Sequence, residues 1–143
     1  MRLNKIIIDR MCKKYDISCY TINKDMSINV IGTVNLSRKQ LTKLPLKFNI
    51  INGSFNCSEN ELTSLEGSPR VISGYFWCNS NKLTSLEGSP DKILWTFSCL
   101  NNNLLSLKGA PKYLNSSWSI EEKYKSYPEY RRYSIGRKIG EYC

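Results

Sequence analysis

The chain has 143 residues, enough for one domain with a continuous core. Histidine is absent, which removes Ser-His-Asp and Cys-His catalysis, His-based metal sites and the usual acid–base catalyst together. The net charge of +9 is spread evenly: residues 1–30, 31–111 and 112–143 carry 6, 8 and 7 cations against 3, 5 and 4 anions, so no basic domain stands out. A solvated surface accounts for that balance; an acidic or nucleic-acid partner is the alternative.

Ile6-Ile7-Ile8 is too short an apolar core for a signal peptide and runs straight into Asp9 and Arg10. No apolar run approaches the ~20 residues that span a bilayer. The expectation is a cytoplasmic protein with no membrane among its partners. Its six cysteines are then expected as free thiols in a reducing compartment rather than as a disulfide framework.

In chain order, Leu3 to Tyr15 reads as a short amphipathic helix. Leu3, Ile7 and Met11 form its apolar stripe with Ile6 and Ile8 beside them, and Arg10, Lys13 and Lys14 sit near its C-terminal end, where they suit the dipole. Its expected role is to cap an open core, although a basic amphipathic helix can also touch a membrane or a partner. Lys24-Asp25 lies in a turn after Tyr20-Thr21-Ile22. Beyond it Ile28, Val30, Gly32, Val34 and Leu36 alternate with other residues as one strand would.

Then the sequence begins to repeat. LTSLEGSP occurs at 62–69 and again at 83–90, with LLSLKGAP at 104–111 and LTKLPL from Leu41, all at a spacing of 21. A period of that length means a stacked solenoid whose units bury their apolar faces only against their neighbours. In register, the turns open VNLSRKQL, FNCSENEL, FWCNSNKL and FSCLNNNL, and a degraded fifth begins at Trp118. Phe and Cys, two apart, share the inner face of a short strand. Asn60, Asn81 and Asn102 can satisfy backbone groups that the turning chain leaves unpaired. Paired leucines pack beneath, and Gly67, Gly88, Gly109 and the prolines that follow turn the chain back.

The motif Phe-x-Cys-x-x-Asn-x-Leu-Thr-Ser-Leu-Glu-Gly-x-Pro resembles the leucine-rich repeat of bacterial and bacteriophage proteins, across Leu36 to Leu114. The resemblance implies an α/β repeat fold: a leucine-rich-repeat solenoid of about four to five turns with a short parallel β-sheet. An N-terminal cap is expected over 1–33, repeats over 34–114, and a degraded last repeat with an irregular C-terminal cap over 115–143. It also implies a non-enzymatic binding module, phage-encoded, that engages a host or viral protein through its concave sheet face. Bacterial effector ubiquitin ligases carry similar repeats but place a catalytic domain after them. The last 32 residues are too few for one, so no ligase activity is expected.

Site expectations follow from the strand pattern. With Phe76 and Cys78 facing in, Tyr75, Trp77 and Asn79 face out. Asn56, Ser98 and Leu100 lie on neighbouring turns, so two aromatics stand on a mostly small, polar surface, as interface anchors do. If the caps fold over them they are merely core. Trp95 replaces the glycine of earlier turns (Gly53, Gly74) and is expected to distort its turn, either opening the C-terminal cap or displaying a contact.

Cys57, Cys78 and Cys99 stack at ~4.8 Å intervals. Three thiols in a line do not make a tetrahedral zinc site, so they are assigned to core packing. No metal and no cofactor are expected. Beyond Pro111, Lys123, Lys125, Arg131 and Arg132, then Arg137 and Lys138, alternate with Tyr124, Tyr127, Tyr130 and Tyr133. Tyrosines roofing the last layer are one reading, with Pro128 interrupting any regular helix; cations on phosphate and rings on bases are the other. A nucleophilic Cys12, Cys19 or Cys143 would lack a histidine base, and no catalytic residue is expected.

Overall fold

The computed structural model describes residues 2–133. It is a parallel-strand β-solenoid of about four turns, entered by an N-terminal helix and closed by a short helical C-terminal segment. Helix α1 (Arg2–Lys14) ends in a tight reversal. Asp16 takes φ 56, the Ile17 N–H donates to the Cys12 carbonyl at 2.9 Å, and the Asp16 N–H reaches the Lys13 carbonyl at 3.4 Å. This is a Schellman cap with aspartate where glycine is usual.

The cap corrects the expected inner stripe of the helix. By tying Ile17 to Cys12 it turns Ile8, Cys12 and Tyr15 into the core and leaves Leu3 68% and Ile7 50% exposed, with Met11 at the margin.

Strand β1 (Tyr20–Ile22) pairs antiparallel with β2 (Ile28–Ile31) around the expected turn, where Asp25 accepts from the Ser27 N–H and hydroxyl. The run expected as a single strand is two. β2 belongs to one sheet and β3 (Val34–Asn35) to another, with a corner at Gly32, whose φ is 124. A two-residue corner preserves the period-2 pattern, so alternation alone cannot reveal it.

Each later turn also contributes two short strands. These are β4 (Phe48–Asn52) and β5 (Phe55–Asn56), β6 (Val71–Ile72) and β7 (Phe76–Trp77), β8 (Lys92–Ile93) and β9 (Phe97–Ser98), β10 (Tyr113–Leu114) and β11 (Trp118–Ser119). The expected single sheet is therefore two: β1-β2-β4-β6-β8-β10, and β3-β5-β7-β9-β11. The pairs Val71-Ile72 and Lys92-Ile93, beyond the prolines, make the return side of each turn a second ladder.

In the second sheet the register Val34–Phe55–Phe76–Phe97–Trp118 holds throughout. Between β2 and β4 it shifts by one residue, a bulge that leaves Ile50 45% exposed.

The core is a set of columns. Phe55, Phe76 and Phe97 are fully buried and stack at 5.8 and 5.6 Å between centroids, and Trp118 continues the stack at 5.5 Å. Leu62, Leu83 and Leu104 lie in a second column, and Leu65, Leu86 and Leu107 in a third. Gly109 shows why glycine recurs at the bend: its φ is 86, and a Cβ there would run into the backbone of Glu87.

The buried asparagines bridge successive turns. Asn81 Nδ2 donates to the carbonyls of Cys57 (3.0 Å), Cys78 (3.2 Å) and Asn79 (3.2 Å), while Oδ1 accepts from the Leu62 N–H (3.0 Å). Asn60 and Asn102 repeat the arrangement. Ion pairs follow the same offset outside: Arg38–Glu59, Lys82–Glu61, Lys108–Glu87, and Asp91 between Arg70 and Lys112. All are solvent-facing, where screening by water leaves an ion pair little net stabilisation, so they favour register more than stability.

At the far end a 3-10 turn (Glu122–Tyr124) precedes a helix that starts at Pro128 and runs to the last described residue, 133. The expected irregular cap is thus partly helical. Proline opens the helix instead of interrupting it, because the first helical N–H has no intrahelical partner to lose. The tyrosine roof is present: Tyr124 is buried, Tyr130 and Tyr133 lie 5.3 and 5.7 Å from the Trp118 ring, and the Tyr133 hydroxyl donates to the Ser116 carbonyl. Arg137, Lys138 and Cys143 fall outside the described residues. No helix among the described residues is long and apolar enough to cross a membrane.

Candidate functional site

Strand β7 is the element on which the outer face of the second sheet departs from its neighbours. Phe76 points into the core, so Tyr75 and Trp77 on either side must point out. Their rings stack at 5.1 Å with 26° between planes. Trp95, one turn on, meets Tyr75 edge-on at 5.4 Å, and the residue is 54% exposed.

The expected distortion at Trp95 does not reach the strands, since Ile72–Ile93 and Phe76–Phe97 keep the common register on both sides of it. At Gly74, by contrast, a Cβ would lie 2.8 Å from the Gly53 carbonyl oxygen. Trp95 therefore displays its side chain where the earlier turns are closed to one.

The polar residues around this trio are already engaged. Asn56, beside Trp77 in register, accepts from the Ser58 N–H through Oδ1 at 3.0 Å. Asn79 Oδ1 accepts from the Ser98 hydroxyl at 2.7 Å and the Leu100 N–H at 2.8 Å. Asn56, Asn79 and Leu100 are half-buried.

Ser98 is only 6% exposed, which removes it from the expected contact set. It sits one strand away from Trp77 in direct register, and a small side chain beside an indole is covered by it. Trp95 is the member that strand alternation did not assign. Its signal was a tryptophan standing in a column of glycines.

The face is also free of charge. No residue in 51–58, 72–79, 93–100 or 114–120 is ionisable to an ion at neutral pH. All charged side chains of the four turns fall on the remaining sides, although the chain carries 33 charged residues, 21 basic and 12 acidic.

The basic C-terminal segment is arranged differently from a stacking platform. Lys123 lies over the Tyr124 ring at 4.8 Å and Lys125 pairs with Glu122 at 2.8 Å, while Arg131 and Arg132 are exposed. The rings of Tyr124, Tyr130 and Tyr133 are used in the cap.

Cys57, Cys78 and Cys99 are fully buried. Burial pushes the Cys57 and Cys99 thiols up to about 12 and Cys78 well above its ordinary value. Cys12, also buried, is raised to about 11 for the same reason, whereas Cys19 is exposed. Among the described residues no group of three or more metal-ligating side chains is gathered.

The thiol column has a consequence for stability. A folded-state pKa above the unfolded value of 9.0 stabilises fully below pH 9 and loses that contribution as pH rises toward 12. At pH 10 each such thiol should withdraw about 1 kcal/mol. Chemical denaturation of Cys57→Ala against wild type, from pH 8 to 11, should show the flatter decline in the variant; parallel declines would refute the assignment.

Compared with protein-family models, with curated proteins and with solved structures, the chain matches none of them.

Proposed function

We propose that this protein is a non-enzymatic binding module of the leucine-rich-repeat kind that holds another protein through the outer face of its second sheet. The observation that carries the reading is the Tyr75–Trp77–Trp95 trio, an aromatic ridge on a face without charge. Tyrosine and tryptophan dominate interface hot spots, because they bring large apolar area at low entropic cost and are ringed by near-neutral contacts. Asn56, Asn79 and Leu100 supply that ring. By the resemblance of the repeats to phage and bacterial proteins, the partner would be a host or viral protein in an infected cell's cytoplasm.

The test is capture of partners from the native host or infected-cell lysate on immobilised protein. Tyr75→Ala with Trp77→Ala should abolish capture, a loss of at least about 30-fold in affinity given hot-spot values of ~2 kcal/mol or more. The far-UV spectrum and melting temperature should stay as in the wild type, because neither ring is part of the inner columns. Capture that survives the double substitution would refute the sheet-face reading.

A further inference from the structure

The exposed side of α1 carries an arrangement that capping does not require. At 100° per residue, Leu3, Ile6 and Ile7 fall within an arc of about 100°, and they are 68%, 41% and 50% exposed. Arg10 and Lys14 continue the same arc toward the C-terminal end of the helix, and Arg2 and Lys13 lie beside it. The outward surface thus begins apolar and ends basic. All five cations of the helix, Arg2, Lys5, Arg10, Lys13 and Lys14, are exposed.

None of these five takes part in an ion pair among the described residues. Most cations along the solenoid behave otherwise: Arg38, Lys47, Arg70, Lys82, Lys108 and Lys112 each meet a carboxylate, and Lys39, Lys43 and Lys92 are the exceptions among the described residues. Asp9 is the single carboxylate within the helix, set against five cations, and it accepts from the Tyr20 hydroxyl at 2.6 Å, so the segment keeps a large positive excess.

We propose that this face of α1 is a docking surface for an anionic lipid bilayer, so that the solenoid stands end-on with its second sheet free. An interface of acyl chains beneath a layer of phosphates offers what the helix presents: an apolar bed for Leu3, Ile6 and Ile7, and negative charge within reach of the arginine and lysine stems. A second copy of the chain is disfavoured as occupant, because it would set five cations that lack a carboxylate partner against five more. The sequence leads to an expectation of no membrane among the partners, with contact by this basic helix as the alternative; Leu3 and Ile7, expected on its core-facing stripe, lie outside. The proposal concerns a different face from the sheet and does not rest on the binding-module reading.

Sedimentation of the full chain with vesicles of phosphatidylcholine alone, or mixed with phosphatidylglycerol, tests it. Binding is expected to the mixed vesicles and to be largely lost at high salt, since each cation near an anionic surface is worth about fivefold in partitioning. Leu3→Ser with Ile7→Ser should reduce it by about tenfold or more, and Lys13→Glu with Lys14→Glu by more again. Lys108→Glu with Lys112→Glu makes the same net-charge change on the last repeat and should alter binding by less than about twofold, if α1 is the docking element. Thermal melts check that every variant is folded.

Equal binding to neutral vesicles would overturn the proposal, as would equal losses for the two charge-reversal pairs, which would mean attraction by net charge alone. No sedimentation with the mixed vesicles would overturn it too. A concentration-dependent dimer abolished by Leu3→Ser with Ile7→Ser, in place of vesicle binding, would assign the face to a second copy.

Discussion

Phe76→Ala should lower the unfolding free energy by about 3–5 kcal/mol, the range expected for emptying a buried aromatic site. The ring is fully buried, with Phe55 stacked on one side and Phe97 on the other. The void cannot close by collapse, because the spacing of successive turns is fixed by the backbone ladders of both sheets at about 4.8 Å per strand. A second effect follows from the linear architecture. Each turn contacts only its neighbours, so a defect in the middle can uncouple the two halves. Urea denaturation should therefore show a lower midpoint together with a shallower or split transition. A loss below about 1 kcal/mol would show that the phenylalanine column is not what couples the turns.

Asn81 gives the second large effect, and its two substitutions separate the donor from the acceptor. Asn81→Ala leaves the Leu62 N–H without its acceptor in a site 7% exposed and takes one of two donors from the carbonyls of Cys57, Cys78 and Asn79, which keep Asn60 Nδ2, Asn102 Nδ2 and the Glu59 N–H; it should cost about 1–3 kcal/mol. Asn81→Asp keeps the size and the acceptor for the Leu62 N–H but turns an anionic oxygen toward the carbonyls of Cys57, Cys78 and Asn79. It should be the worse of the two at neutral pH. The sign of its pH response is fixed. Burial among carbonyls raises the folded-state pKa of the introduced acid above the unfolded value, so the lost stability returns as pH falls and the carboxyl regains a proton to donate. Denaturation at pH 7 and pH 4 checks this. An aspartate variant as stable as the alanine variant at pH 7, or one that weakens further in acid relative to wild type, would refute the donor role.

Much of this arrangement was legible in the chain. Twenty-one-residue spacing of Phe55, Phe76 and Phe97 specifies their stacking, because identical apolar residues in successive turns can satisfy one another only if the turns are in register. The same logic marked Asn60, Asn81 and Asn102 as bridges and Tyr75 and Trp77 as outward. What escaped were features with no periodic signature. Gly32 hides a corner inside an alternating run. Val71-Ile72 and its equivalents are too short to read as strands. Ser98 looks outward by alternation but is covered by a tryptophan twenty-one residues earlier, a fact about the neighbouring turn and not about its own strand.

The two ends of the molecule show the limit most plainly. Sequence period determined the solenoid, the composition of its columns and the aromatic break on one face, since a repeat carries its own packing partner at a known distance. It could not determine which side of α1 turns inward. Leu3, Ile7 and Met11 and the rival set Ile8, Cys12 and Tyr15 both make an apolar stripe, and the choice fell to the cap at Asp16 that ties Ile17 to Cys12. Nor could it tell that Pro128 would begin a helix and lay Tyr130 and Tyr133 over Trp118. A terminal element has a neighbour on one side only, and its orientation is set by a single docking event that no repetition in the sequence records.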